Sequence, residues 1–257
     1  MKTISILGSG WLGLPLAQLF FQQGFRVKAS TRAVGKMAEI ESSGAKAFIV
    51  DIDQDNDISA FLDADILVVN ITSKSIESFK HLIQKVEGSS ISCVLFVSST
   101  SVYQNTNKVV METDGAENEM SPLFQIENLF RINAHFETTI IRFAGLFDSR
   151  RHPGRFFVNK PIPQPKAAVN LIHLEDCLNI IDRIVVQGVW NEVFNACADT
   201  HPSKREFYCY AGSLLGLPEP AVGDSVQTDF KIISNEKIKR SLSYEFTHGD
   251  LMGWSGL

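Results

Sequence analysis

The sequence predicts an α/β protein: a doubly wound parallel sheet followed by a small C-terminal lobe. Three observations carry that prediction. Short apolar runs alternate with amphipathic stretches over the first two thirds of the chain. A glycine cluster separates the first run from the first amphipathic stretch. The alternation then breaks after Phe147.

In chain order, strands are expected at Ile4–Leu7, Arg26–Ser30, Ala47–Val50, Ile66–Asn70, Cys93–Ser98 and Thr138–Arg142. Helices are expected between them at Leu12–Gln23, Val34–Ser43, Asp57–Leu62, Ser75–Val86 and Pro122–Asn133. Strands that alternate with helices imply a parallel sheet covered on both faces. In "SPLFQIENLF", Ser121 can cap, Pro122 suits the first helical position, and Leu123, Phe124, Ile126, Leu129 and Phe130 supply an apolar face.

After Phe147, "DSRRHPGRFF" and "NKPIPQPK" read as loops with a short helix. "AVNLIHLEDCLNIIDRIVV" gives a strand and a helix, and "EVFNACA" another strand. Ser203–Leu215 is a helix ended by Gly216 and Pro218, and short elements follow from Ala221 onward. Residues 1–147, completed by 168–199, should form the core. Residues 148–167 and 200–257 should form the lobe, with both ligands in the cleft at the carboxyl ends of the strands.

The chain has 257 residues, is 44% hydrophobic and carries a formal net charge of -5. That is enough for one large domain and a smaller lobe. No long basic run is present, so nucleic acid is not an expected partner. No segment approaches the roughly 20 apolar residues of a membrane helix, and "MKTISILGSG" does not read as a signal peptide. Cys93, Cys177, Cys197 and Cys209 are scattered, without a CxxC pair. They read as reduced thiols in a cytoplasmic protein, with no metal site expected. A monomer or homodimer is expected.

Gly8, Gly10 and Gly13 have the G-x-G-x-x-G spacing. They follow a strand, open a helix and precede a second strand, which is the context a dinucleotide site of Rossmann type requires. Gly8 allows the tight turn, Gly10 the approach of the pyrophosphate, and Gly13 close packing of helix on strand. Trp11 and Leu12 complete the loop. The second strand ends at Ser30, Thr31 and Arg32, with Lys36 one turn on. An acidic residue there would mark NAD. A hydroxyl pair with two cations suits a ribose 2′-phosphate, so NADP(H) is expected over NAD(H). Asp51 and Ile52 follow the third strand and read either as an adenine contact or as a loop or capping pair. Asn70, Ser98 and Phe143, at the ends of later strands, complete the expected cofactor set.

"FVSSTSVYQ", residues 96–104, resembles the Ser-Ser-x-x-Val-Tyr-Gly segment of the extended short-chain dehydrogenases/reductases, the NAD(P)-dependent epimerase/dehydratase family that acts mostly on nucleotide sugars. "IIRFAGLFDSRRHPGRFF", "VNLIHLEDCLNII" and "VFNACADTHPSKREFYCYAGSLLGLPEP" resemble later family segments in the same order. The glycine motif is tighter than the family's, and Gln104 replaces its glycine. The family's catalytic Tyr-x-x-x-Lys would fall on Leu123 and Glu127, or on Phe124 and Asn128 if the frame slides by one. The family tyrosine exchanges the proton and its lysine lowers the tyrosine pKa; neither residue type is present.

The resemblance implies Ser99 as the catalytic Ser/Thr. Tyr103 and His152 are the other candidate proton donors. Arg150, Arg151 and Arg155 around His152 suit a small anionic substrate such as a nucleotide sugar. His173 reads as a structural hydrogen-bonding residue and Arg142 as half-buried and paired. Two functions remain open: an atypical NADP-dependent oxidoreductase, or a non-catalytic NADP(H) redox sensor or protein-interaction module. The N-terminal segment also resembles the start of the β-hydroxyacid dehydrogenases, but their long all-helical second domain does not fit the residues after Phe147.

Overall fold

A computed structural model describes residues 1–223 and 229–256. Residues 224–228 and 257, which the expected lobe includes, lie outside the described residues.

The first part of the chain alternates as expected. Its elements are β1 (Thr3–Leu7), α1 (Gly13–Gln22), β2 (Arg26–Thr31), α2 (Met37–Ser42), β3 (Lys46–Ile49), α3 (Ser59–Leu62), β4 (Ile66–Val69), α4 (Ile76–Glu87) and β5 (Cys93–Ser99). Then come β6 (Val109–Val110), α5 (Pro122–Arg131), β7 (Glu137–Phe143), β8 (Gly145–Phe147), β9 (Leu171–His173), α6 (Leu174–Gln187), β10 (Val193–Ala196), α7 (Lys204–Ser213), β11 (Ile232–Ile233) and α8 (Glu236–Leu242). The main sheet has seven strands in the order β10-β7-β5-β4-β1-β2-β3. The register, with Ile4 opposite both Val27 and Ile66, is parallel. β4 is buried along its whole length, as a strand covered on both faces must be.

The chain divides into two compact units. The first holds residues 1–98, 118–141 and 181–193; the second holds 99–117, 142–180 and 194–257. The second unit takes in more of the chain than the lobe expected from the sequence. Two small parallel ladders account for the extra segments. β6 pairs with β11, and β8 pairs with β9, so residues near 109 and 145 hydrogen-bond to chain far downstream. The β-hydroxyacid dehydrogenase alternative fails here, since this unit is mixed and not all-helical.

The first unit packs Phe79, Phe96, Phe130 and Phe136 together, with ring centroids 5.0–6.2 Å apart. The second packs Phe147, Phe207, Leu251 and Trp254. Both cores bury the apolar faces that the sequence pattern marks.

Local chemistry explains the boundary differences. The stretch expected as a helix from Val34 opens as a 3-10 turn over Val34–Lys36. The third helix starts at Ser59, where Asp57 Oδ1 accepts the Ser59 N–H at 2.8 Å. Ser121 occupies the cap position of α5, but its side chain caps nothing. Ser203 does what its sequence suggests: it forms a capping box with Glu206, at 3.2 and 2.9 Å.

Candidate functional site

The glycine loop belongs to the first unit. Gly8 has φ +102°, and a Cβ there would lie 2.4 Å from Asn70 O. A Cβ on Gly13 would lie 2.0 Å from Gly8 O. Both positions therefore require glycine. At Gly10 a Cβ would meet nothing within 4 Å, which leaves open space against the backbone. α1 begins beyond this space with no side-chain cap and no acidic residue in its first turn. Free helix N–H groups beside an open cradle suit a pyrophosphate, so the residues present fit a dinucleotide.

Side chains from neighbouring strands hold the loop. Asn70 Nδ2 donates to Gly8 O at 3.2 Å, and Ser9 Oγ donates to Ser30 O at 2.8 Å. Gly8 N–H donates to Ser30 Oγ at 3.1 Å. Ser30 is 1% exposed, so its hydroxyl shapes the loop; it does not present itself to a ligand, contrary to the sequence expectation. Thr31 Oγ1 accepts the Ala33 N–H at 3.1 Å and shapes the turn after β2.

One cleft of about 330 Å³ is lined by Gly8, Gly10, Ser30, Thr31, Arg32, Lys36, Asp51, Ile52 and Asn70. Arg32 and Lys36 are exposed and have no acidic partner among the described residues. Asp51 also accepts the Asp53 N–H at 3.1 Å, so it stabilises its own loop while lining the cleft. Leu12 and Gly13 lie behind the loop, buried. Trp11 is half-buried, and its indole N–H is buried without a partner. Phe143 is buried and lies in the second unit.

At the end of β5 the first unit buries Ser98, expected as a cofactor contact, against Glu127, to which the sequence reading gave no role. Ser98 Oγ donates to Glu127 Oε1 at 2.5 Å, with Ser98 6% and Glu127 1% exposed. Leu123, one turn earlier on α5, packs against the first core. The sequence did carry a signal. Residues 123, 126, 127 and 130 share one helical face, and Glu127 is the one acid among them.

Ser99 begins the second unit. Its Oγ accepts the Ser101 N–H at 3.1 Å, capping the turn Thr100–Val102. Its hydroxyl proton has no acceptor among the described residues and can still be donated.

Tyr103 is placed differently from a proton donor. Arg142 Nη1 donates to its hydroxyl oxygen at 2.6 Å, and the hydroxyl donates to Asn195 Oδ1 at 2.9 Å. Burial pushes the Tyr103 pKa up to about 12, with Arg142 pulling the other way. Arg142 is 1% exposed, fully rather than half buried, and pairs with Glu117 at 2.5 Å. Glu112 accepts the Asn195 N–H at 2.7 Å. Glu112, Glu117 and Asn195 carried no sequence signal, because they meet Tyr103 and Arg142 only in the fold.

The arginine loop splits. Arg150, Arg151 and Arg155 are exposed, as expected. His152 is not: it is 3% exposed, its ring lies 4.8 Å from that of Trp254, and its Nδ1 accepts the Gly154 N–H at 3.1 Å. Burial, and then the Arg155 charge, hold its pKa below the usual histidine range. It caps a turn and packs, which corrects the substrate-facing role expected from its basic neighbours.

No protein-family model matches the chain. It is 30% identical over 267 residues to protein YeeZ of Escherichia coli (strain K12), covering 97% of both chains. The fold is similar to a Methylobacillus flagellatus protein assigned to the NAD-dependent epimerases/dehydratases, with TM-score 0.79, 24% identity, and 97% and 94% of the two chains covered. It is also similar to UDP-glucuronic acid 4-epimerase of Bacillus cereus in complex with UDP-glucuronic acid and NAD, with 17% identity and 98% and 96% covered. No described helix is long and apolar enough to cross a membrane. The chain belongs to the family of protein YeeZ, and its fold is that of the epimerase/dehydratase structures.

Proposed function

We propose that the chain is an NADP(H)-binding oxidoreductase of the epimerase/dehydratase type that works without the Tyr-x-x-x-Lys pair. The observation that carries this reading is the cleft of the first unit. It combines an open glycine cradle at a helix N-terminus with two exposed cations, Arg32 and Lys36, where an NAD site would carry an acid. Arg32 would bind a ribose 2′-phosphate with paired hydrogen bonds, and Lys36 would add charge.

When bound, the nicotinamide would supply or accept hydride. Ser99 donates its free hydroxyl proton toward a substrate oxygen and polarises it. Arg150, Arg151 and Arg155 present an exposed basic surface that suits an anionic substrate such as a nucleotide sugar. The Tyr103 hydroxyl is engaged by Arg142 and Asn195, and the His152 ring is buried against Trp254, which leaves the proton to solvent or to the substrate itself.

The second reading, a redox sensor that binds NADP(H) without turning it over, is favoured by one specific arrangement. Glu127 is buried against Ser98, and Leu123 packs half-buried against the core, at the positions where the family places its lysine and tyrosine.

Titration with NADPH and NADH, followed by nicotinamide fluorescence, tests the shared part. NADPH should bind at least about tenfold more tightly, and Arg32→Ala should remove that preference at a cost of about 1.5–3 kcal/mol, the worth of a charged hydrogen bond. Equal affinities would overturn the NADP assignment. NADPH turnover across a panel of nucleotide sugars, abolished by Ser99→Ala, separates the enzyme from the sensor.

A further inference from the structure

We propose that His173, Glu175 and His248 form a binding site for a divalent transition cation of the zinc class. One ligand atom from each lies within 4.8 Å of the others, and all three belong to the second unit. The two imidazole rings are 3.8 Å apart, tilted by 47°. His248 Nε2 lies 2.9 Å from Glu175 Oε2. Two imidazoles and a carboxylate are a donor set that suits zinc, and three protein ligands leave a fourth position for water.

The positions are fixed without any ion. His173 ends β9 and Glu175 lies in the first turn of α6, so the strand–helix junction sets their spacing. The His173 ring packs edge-on against Phe147, at 5.2 Å, and cannot swing away. His248 comes from a distant loop that Asp176 holds. This fully buried carboxylate accepts the Thr247 N–H at 2.8 Å, the His248 N–H at 3.0 Å and the Tyr244 hydroxyl at 2.6 Å. Gly249 O adds bonds from Asp199 and Thr200 N–H, at 2.9 and 3.1 Å. The bonds to Asp176 and to Gly249 O use none of the ligating atoms, which is how outer partners hold a metal site in shape. Side-chain exposures of 53% for Glu175 and 20% for His248 leave an entry path.

The cation takes the place of the hydrogen bond between His248 Nε2 and Glu175 Oε2, and the single proton of the neutral His248 ring sits on Nδ1. The cation also displaces the long 3.2 Å contact from the Glu175 N–H to His173 Nδ1. Bound there, it fastens the loop of Thr247–Asp250 to the β9–α6 junction and braces the C-terminal part of the second unit. The inference does not depend on the cofactor reading.

The test is a titration of the full chain with Zn²⁺ against a chromophoric chelator, with Co²⁺ spectra in parallel. One equivalent should bind, the Co²⁺ bands should show nitrogen and oxygen ligation without thiolate charge transfer, and Zn²⁺ should raise the unfolding midpoint. Glu175→Gln and His248→Asn, both at partly exposed side chains, should each weaken Zn²⁺ by more than the roughly 10–100-fold that loss of an outer partner costs. Circular dichroism checks that both variants fold. His81→Asn, at the exposed His81–Glu77 pair on α4, is the control and should change nothing. Absence of stoichiometric binding, a thiolate band, binding unaltered in both site variants, or loss of binding in the control would overturn the site.

Discussion

The glycine-loop cleft of the first unit and the Tyr103–Arg142 cluster of the second are both polar, but they are built in opposite ways. The cleft is lined largely by backbone and by strand ends, and its cations are exposed and unpaired among the described residues. The cluster is closed: Arg142 donates to Tyr103 and Glu117, Tyr103 donates to Asn195, and burial is nearly complete. Unmet donors and charges beside open space can be satisfied by a ligand. Donors and charges that satisfy one another in a low-dielectric interior hold the fold instead. Residues that resemble catalytic groups in sequence can therefore be structural in the chain that carries them.

Three changes test that contrast, taken from the largest expected effect to the smallest. Arg142→Met removes the guanidinium and strands the Glu117 carboxylate, so stability should fall by about 3–5 kcal/mol. NADPH affinity of the folded fraction should be unaltered. Chemical denaturation with a parallel cofactor titration measures both, and a normal midpoint would mean that the cluster is not load-sharing. Gly13→Ala puts a methyl group 2.0 Å from a backbone oxygen. It should cost about 1–3 kcal/mol as an overpacking change, and here cofactor binding should be lost with it. Retained NADPH binding would show that the loop does not form the cofactor site.

The smallest effect is one of pH. Burial lowers the pKa of His152, His173 and His201 from 6.5. The folded state therefore binds fewer protons than the unfolded state once the pH falls to that value. The three contribute full stability above about pH 6.5 and lose it as the pH falls from there through their lowered folded values. Denaturation midpoints between pH 8 and 5 measure the loss, and His152→Gln should flatten it. A midpoint that rises on acidification would contradict the burial of these rings.

The strand–helix alternation and the glycine loop were readable because both are local. The period of the apolar residues sets each element, and three glycines within one turn set the loop geometry whatever surrounds them. The same locality made Arg32 and Lys36 readable, since they follow β2 directly. Tyr103, His152 and Glu127 were misjudged or passed over for the opposite reason. Whether a hydroxyl, an imidazole or a carboxylate faces water depends on what covers it, and here the cover is distant in sequence: Asn195 for Tyr103, Trp254 for His152, Ser98 for Glu127. The division into units moved for that reason as well, because the β6–β11 and β8–β9 ladders join segments that no local pattern connects. Sequence alone thus determined the sheet, the glycine loop and the two cations that follow β2. Only tertiary structure decided which polar side chains remain open to chemistry, because burial and pairing are properties of contacts between remote parts of the chain.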